Sequence, residues 1–119
     1  MGEKVNKFND LRIWQEGISL AKEIYELSNK FPDEEKFCLV TQIRRAAISV
    51  PSNIAEGFRR KHKKEFIHFL NFALGSLAEI ETQLILAKEL DYAKPEKIEK
   101  IIQRVDYICR MTTTLINRI

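Results

Sequence analysis

An all-α fold, an antiparallel up-down-up-down four-helix bundle, is what this 119-residue sequence predicts, and three observations carry that reading. Apolar residues recur at spacings of three and four in four successive stretches, as in helices with one buried face. Phe31-Pro32-Asp33 and the stretch from Asp91 to Pro95 interrupt the pattern, because proline disfavours helical geometry in the residue before it and readily begins a new helix. The connections are short, which makes consecutive helices antiparallel neighbours. Hydrophobic residues at 45% and charged residues at 31% are the balance of a folded, water-soluble domain rather than a disordered one. No repeat, low-complexity tract or second domain interrupts residues 1–119, so one domain with one core is expected. No apolar run approaches the length of a membrane span, and the start MGEKVNKFND has no apolar signal core, so the expected compartment is the cytoplasm.

Residues 1–8 are polar and expected to fray, with Phe8 able to tuck against the first helix. Asn9 or Asp10 can cap that helix, which is expected from Leu11 to Phe31. Two apolar stripes run along it side by side. One is Leu11, Trp14, Ile18, Ala21 and Tyr25; the other is Ile13, Gly17, Leu20, Ile24 and Leu27. Together they cover an arc of roughly 200°, wider than one bundle contact needs. The surplus predicts a second buried face against another subunit.

The second helix carries Phe37, Val40, Ile43, Ala47, Val50, Ile54 and Phe58. Pro51 falls inside it, removing one amide donor and crowding the carbonyl of Ala47. Because the apolar phase is kept across Pro51, a kink is expected there and not a terminus. The third helix runs from about His62 or Lys63 to Leu90, with Phe66, Phe69, Leu70, Ala73, Leu77, Ile80, Leu84 and Ala87 on its core stripe. Pro95 suits the first turn of the fourth, whose stripe is Ile98, Ile101, Ile102, Val105, Ile108, Thr112, Leu115, Ile116 and Ile119. Ile67, Leu74, Ile85, Ile102 and Met111 add apolar flanks, an area better hidden in an oligomer than left exposed.

Gln42 to Lys64 is the most unusual stretch. It holds Arg44, Arg45, Arg59, Arg60, Lys61, Lys63 and Lys64 against the single acid Glu56, a net charge of +6 in a chain whose total is +3. The remainder is therefore negative. A local basic cluster of this kind points to a polyanion or an acidic partner surface. Two charges fall where the helical wheel wants apolar groups, Arg44 on the second helix and Glu81 on the third. A charge on an apolar face is costly unless paired, so Arg44 and Glu81 are expected to form an internal or intersubunit ion pair.

Nothing completes an active site around Glu81: no second acid, nucleophile or histidine joins it, and a non-enzyme is expected. The only histidines, His62 and His68, lie six apart on different helix faces, with no Glu-x-x-His pair of the kind di-metal bundles carry. No Arg stands four to six residues before either histidine, as helical nucleases of the HEPN type require, and four scattered glycines make no phosphate loop. Cys38 and Cys109 are too few and too far apart for a disulfide framework or a zinc site, and read as reduced structural thiols. No metal or cofactor is expected.

FNDLRIWQEGISLAKEIYEL from Phe8, QIRRAAISVPSNIAEGFRR from Gln42 and EFIHFLNFALGSLAEIETQL from Glu65 resemble the bacterial four-helix-bundle proteins encoded in intervening sequences of 23S ribosomal RNA genes, often labelled S23 ribosomal proteins. The resemblance covers nearly the whole chain. Arg-Arg-Ala, Val-Pro, Asn-Ile-Ala-Glu-Gly and Ala-Leu-Gly-Ser-Leu stand in the family's order and spacing. One departure is Lys61-His62-Lys63, where a small hydroxyl residue is usual, which removes the ordinary cap of the third helix. The chain is also similar to the accessory variability protein of diversity-generating retroelements, a basic pentamer that binds nucleic acid and a reverse transcriptase. The resemblance implies a homopentamer and no enzymatic activity.

The basic window and the resemblance together give two functional expectations of different classes. In the first, Arg45, Arg59, Arg60, Lys61, Lys63 and Lys64 contact the phosphates of a nucleic acid, RNA before DNA, largely without reading sequence. In the second, the basic turn meets an acidic partner such as a polymerase or reverse transcriptase, and the oligomer is an interaction scaffold.

Overall fold

Four helices form where the periodicity places them: α1 spans Arg12–Ser28, α2 Leu39–Arg59, α3 Lys63–Glu89 and α4 Pro95–Arg118. The computed structural model describes residues 5–119. Each helix packs on the one that follows it and α4 closes on α1, giving an all-α rod of 46 × 25 × 19 Å. α2 and α3 are joined by three residues, 60–62, so the basic turn caps one end of the rod. The α1–α2 and α3–α4 connections lie at the other end.

The inner stripe of α1 is buried at Ile13, Gly17, Leu20, Ile24 and Leu27, and meets Ile43, Val50 and Ile54 of α2 and Ile98, Val105 and Ile108 of α4 in one core. α3 contributes Leu70, Leu77, Ile80 and Leu84, all fully buried. Each such side chain contributes about 1.5–3 kcal/mol on leaving water. Thr112, also fully buried, satisfies its hydroxyl by donating to the Ile108 carbonyl at 2.7 Å. The outer stripe of α1 stays half-covered: Ile18 is 37% and Tyr25 39% exposed.

Several expectations change at the helix ends. α1 ends at Ser28, three residues before Phe31, in a turn where Asn29 and Lys30 donate to Tyr25 and Leu27 carbonyls. Neither Asn9 nor Asp10 caps α1 with its side chain. Leu11 occupies the cap position, and the Asp10 carboxylate accepts from the Lys7 amide instead, closing a short 3-10 turn over Phe8–Asp10. Of the eight residues expected to fray, 1–4 lie outside the described residues, whereas Phe8 packs on Trp14 with ring centres 5.4 Å apart. Phe37 does not join the α2 stripe. It lies in the turn after a 3-10 turn at Asp33–Glu35, still ahead of the helix, and is 86% exposed.

α2 runs unbroken through Pro51, whose ring is buried against Gly17 of α1. A Cβ at Gly17 would stand 3.4 Å from the proline Cδ, so the ring occupies space that a larger residue on α1 would need. At the far end of the rod α3 closes with the Tyr92 amide donating back to Ala87 while Asp91 takes a left-handed φ of 58°, a Schellman arrangement. The Tyr92 hydroxyl then donates to Glu35 at 2.6 Å, and that carboxylate also accepts the first amide of α2 at Leu39. The hydrogen bond to Glu35, with burial behind it, pushes the Tyr92 phenol up to about 12. α4 is tied to α1 by Arg104, which bridges Glu16 and Glu23, two turns apart on one face. These groups are about a third exposed, so each pair contributes about 0–1 kcal/mol.

Among the described glycines, Gly57, in the last turn of α2, has the tightest surroundings. A Cβ there would lie 2.6 Å from the Phe69 Cβ and 3.1 Å from the Phe66 ring of α3. A Cβ is rooted in its backbone and cannot swing aside, so the two helices would have to separate. Gly57→Ala should therefore destabilise the fold by about 1–3 kcal/mol in a thermal melt. Gly75→Ala, where a Cβ meets nothing within 4 Å, should raise stability by up to about 1 kcal/mol through helix propensity alone.

Candidate nucleic-acid interface

At the end of α2, Arg60 is the last residue with right-handed helical geometry and Lys61 turns into the left-handed region at φ 61°. That conformation favours glycine and costs a branched-at-Cα residue about 1 kcal/mol. The third helix then starts at Lys63 without a side-chain cap from His62. The turn is held by packing, since Phe58 and Phe66 meet edge to face at 5.9 Å beneath it. Its cations consequently point to solvent. Arg59, Lys61, Lys63 and Lys64 are exposed, and no carboxylate of the described residues lies within salt-bridge distance of them.

Arg60 behaves differently. It donates to Glu56 at 2.9 Å and to Glu65 at 3.4 Å, and lies over the Phe69 ring at 5.1 Å. The Glu56 hydrogen bond raises its pKa above the ordinary guanidinium value, and its two exposed ion pairs link the end of α2 to the start of α3. Arg45 is exposed but stands fourteen residues before Arg59 on the same helix, about 21 Å away by helical rise, and does not belong to the turn.

Arg44 and Glu81 do not pair within the chain. The Arg44 guanidinium donates to the Ser28 hydroxyl at 2.9 Å, the Asn29 side-chain oxygen at 2.8 Å and the Tyr25 carbonyl at 3.2 Å, and lies 4.4 Å from the Tyr25 ring centre. It is a cap for the C-terminus of α1, where free carbonyls and the helix dipole favour a cation. Glu81 lies half-buried near Cys109 on the α3–α4 side, away from α1. The physical reason is angular: both residues sit at the edges of their apolar stripes, and those edges face different neighbours. Burial pushes the Cys109 thiol up, with Glu81 and Asp106 adding to the shift. Cys38, read from the sequence as buried, is exposed in the turn before α2.

The structure adds partners to the turn that sequence spacing does not show. A groove of about 940 Å³ opens beside it, lined by Phe8, Phe58, Phe66, Val5 and Ile119, with Lys7, Arg59, Lys61, His62 and Lys63 among its polar lining. Arg59 lies over the Phe8 ring at 5.1 Å. Phe58 and Phe66 flank the basic run in sequence, so that half of the groove was readable; Phe8 arrives only because α1 starts at the same end. At the opposite end Lys30, Lys94, Lys97 and Lys100 gather around a second groove whose lining also holds Glu23 and Glu26. The neighbouring Lys30 ammonium pushes Lys97 below its ordinary pKa. These lysines escape notice in the sequence because two elements supply them. Glu65 and His68 have a single Glu-x-x-His spacing, but Glu65 is engaged with Arg60, and among the described residues no three metal-binding side chains converge.

Fold and site together define a small four-helix protein with a cationic, aromatic-lined end. The chain belongs to the family of 23S rRNA-intervening sequence proteins, whose sequence pattern matches residues 9–114. A crystal structure of a protein of unknown function from the S23 ribosomal protein family of Bacteroides thetaiotaomicron VPI-5482 is similar to it: TM-score 0.81 at 28% identity, covering 87% of this chain and 97% of that one. No curated protein matches the chain. No described helix is long and apolar enough to cross a membrane.

Arg44→Ala should cost about 2 kcal/mol in a chemical denaturation, because it uncaps α1 and leaves the buried Ser28 hydroxyl with one partner fewer. Glu81→Ala should cost less than about 1 kcal/mol, as for a half-exposed group with no ion-pair partner. The reverse ranking would restore the Arg44–Glu81 pair.

Proposed function

We propose that this protein is a non-enzymatic, cytoplasmic homo-oligomer that binds nucleic acid, RNA in particular, through the turn between α2 and α3. The observation that carries the reading is the gathering of Arg59, Lys61, Lys63 and Lys64 at one end of the rod with no described carboxylate within salt-bridge distance of any of the four. Lys61 holds a backbone conformation better suited to glycine, and a cation retained under local strain is what a functional turn would show. Phosphate contacts of this kind set affinity and salt dependence without reading bases. Arg45 drops out of the contact set by distance, while Arg60 could join it only by giving up its ion pairs with Glu56 and Glu65, which are exposed and therefore weak.

Replacing Arg59, Lys61 and Lys63 together by Ala should weaken RNA binding and reduce the slope of log affinity against log salt by about 2–3. Equal slopes for variant and parent would overturn the reading. An acidic protein surface, such as that of a polymerase or reverse transcriptase, would use the same cations, and capture of that protein by the parent but not the variant after nuclease treatment would favour it.

Homo-oligomerisation is supported by the outer α1 stripe, where Ile18 and Tyr25 remain exposed beside half-covered Trp14 and Ala21. Phe72, Ile85, Leu86 and Leu90 add exposed apolar area on α3. Closed rotational symmetry would cover such faces without leaving a growing end, and several basic turns in one ring would act jointly on one polyanion. The number five rests on the resemblance to pentameric proteins. Light scattering at micromolar concentration should report a mass near five chains, and a clean monomer would overturn the assembly.

A further inference from the structure

We propose that the groove beside the basic turn receives unpaired bases, so that the protein prefers single-stranded RNA over a duplex; this rests on the nucleic-acid reading and specifies its ligand. The groove combines two chemistries that a phosphate site alone does not need. Among the described residues its lining contains no Asp or Glu, while Lys7, Arg59, Lys61 and Lys63 supply positive charge along it. Its apolar part is aromatic: Phe8 on one side, Phe58 and Phe66 on the other, all only half-covered. At about 940 Å³ the space is at the upper end of the range of small-ligand sites, room for more than a lone phosphate.

An occupant that matches must be anionic and carry flat apolar groups at short intervals. Unpaired nucleotides meet both demands, because each base offers a face for stacking on an aromatic ring while its phosphate stays at the cationic edge. A duplex meets only the demand for negative charge, since its bases are stacked on one another and held inside. Phe8 sits on a short 3-10 turn outside the core, packed against Trp14, and the Arg59 guanidinium over its ring makes a mixed cation and aromatic platform at the groove edge. Asn6 and His62, also in the lining, provide hydrogen-bonding groups for base edges without fixing a sequence.

The test uses the full chain and a fluorescein-labelled twelve-nucleotide RNA, alone and annealed to its complement, with inorganic polyphosphate as a competitor that has charge but no bases. The single strand should bind about tenfold or more tighter than the duplex, and polyphosphate of matched charge should compete weakly. Phe8→Ala should lower single-strand affinity by about five- to a hundredfold while leaving duplex affinity and the salt slope unchanged, and Phe8→Trp should retain binding. An RNA carrying 2-aminopurine should change fluorescence on binding the parent, a readout that needs no variant to fold. Equal affinity for single strand and duplex with no 2-aminopurine response would overturn the base groove and leave phosphate binding at the turn standing. Loss of duplex binding alongside single-strand binding in Phe8→Ala would overturn it too, as would absence of binding to either form.

Discussion

The close approach of α2 and α3 at Gly57 is the constraint on which the rest of the molecule depends. With no Cβ at that position the backbone of α2 comes down onto Phe66 and Phe69, and a connection of only three residues can then join the two helices. A wider crossing would need a longer loop. The cations at 59, 61, 63 and 64 would then be spread along a flexible strand instead of held on a turn packed over Phe58 and Phe66. The left-handed Lys61 follows from the same geometry, because reversing the chain in three residues requires one residue to leave the right-handed region. The position of the turn and its backbone strain thus share one steric cause.

A second set of contacts works at the opposite end, where the longer α1–α2 connection has to be disciplined by polar groups. Arg44 reaches from α2 to the Tyr25 carbonyl in the last turn of α1, and Glu35 takes both the first amide of α2 and the Tyr92 hydroxyl. Each ties a helix end to a neighbouring element through a side chain. Arg44 is therefore not a misplaced core charge needing a counter-ion. Its partners are neutral oxygens and a partial helix charge, which satisfy a guanidinium without the desolvation of a buried carboxylate.

Periodicity in the sequence was enough to mark the buried faces, and on α1 it separated the inner stripe that the core takes from the outer one that it leaves. It also carried α2 through Pro51, because the apolar phase did not shift there. What a helical wheel cannot supply is the identity of a partner. It set Arg44 and Glu81 on apolar faces, as a pair, whereas both stand at stripe edges that face different neighbours. Phe37 was misassigned because one apolar residue in phase with a helix says nothing about whether the helix has begun. For the candidate site, the cations were visible as a run and the two flanking phenylalanines could be read beside them. Arg45 looked like a member only because linear proximity hides the rise of a helix, and Lys7 and Phe8 required knowing which ends of the bundle coincide.

The two tips of the rod differ in charge, with a consequence for how copies can approach one another. The tip at the α2–α3 turn carries Arg59, Lys61, Lys63 and Lys64, whereas at the opposite tip Lys30, Lys94 and Lys97 stand among Asp33, Glu34, Glu35, Asp91 and Glu96. Two basic turns meeting head to head would set cation against cation inside the screening length of about 8 Å at physiological salt. Flank-to-flank encounters avoid that collision and bring the half-exposed apolar stripe of α1 into reach. The charge layout therefore discourages end-to-end pairing through the basic turns and leaves the sides open to approach.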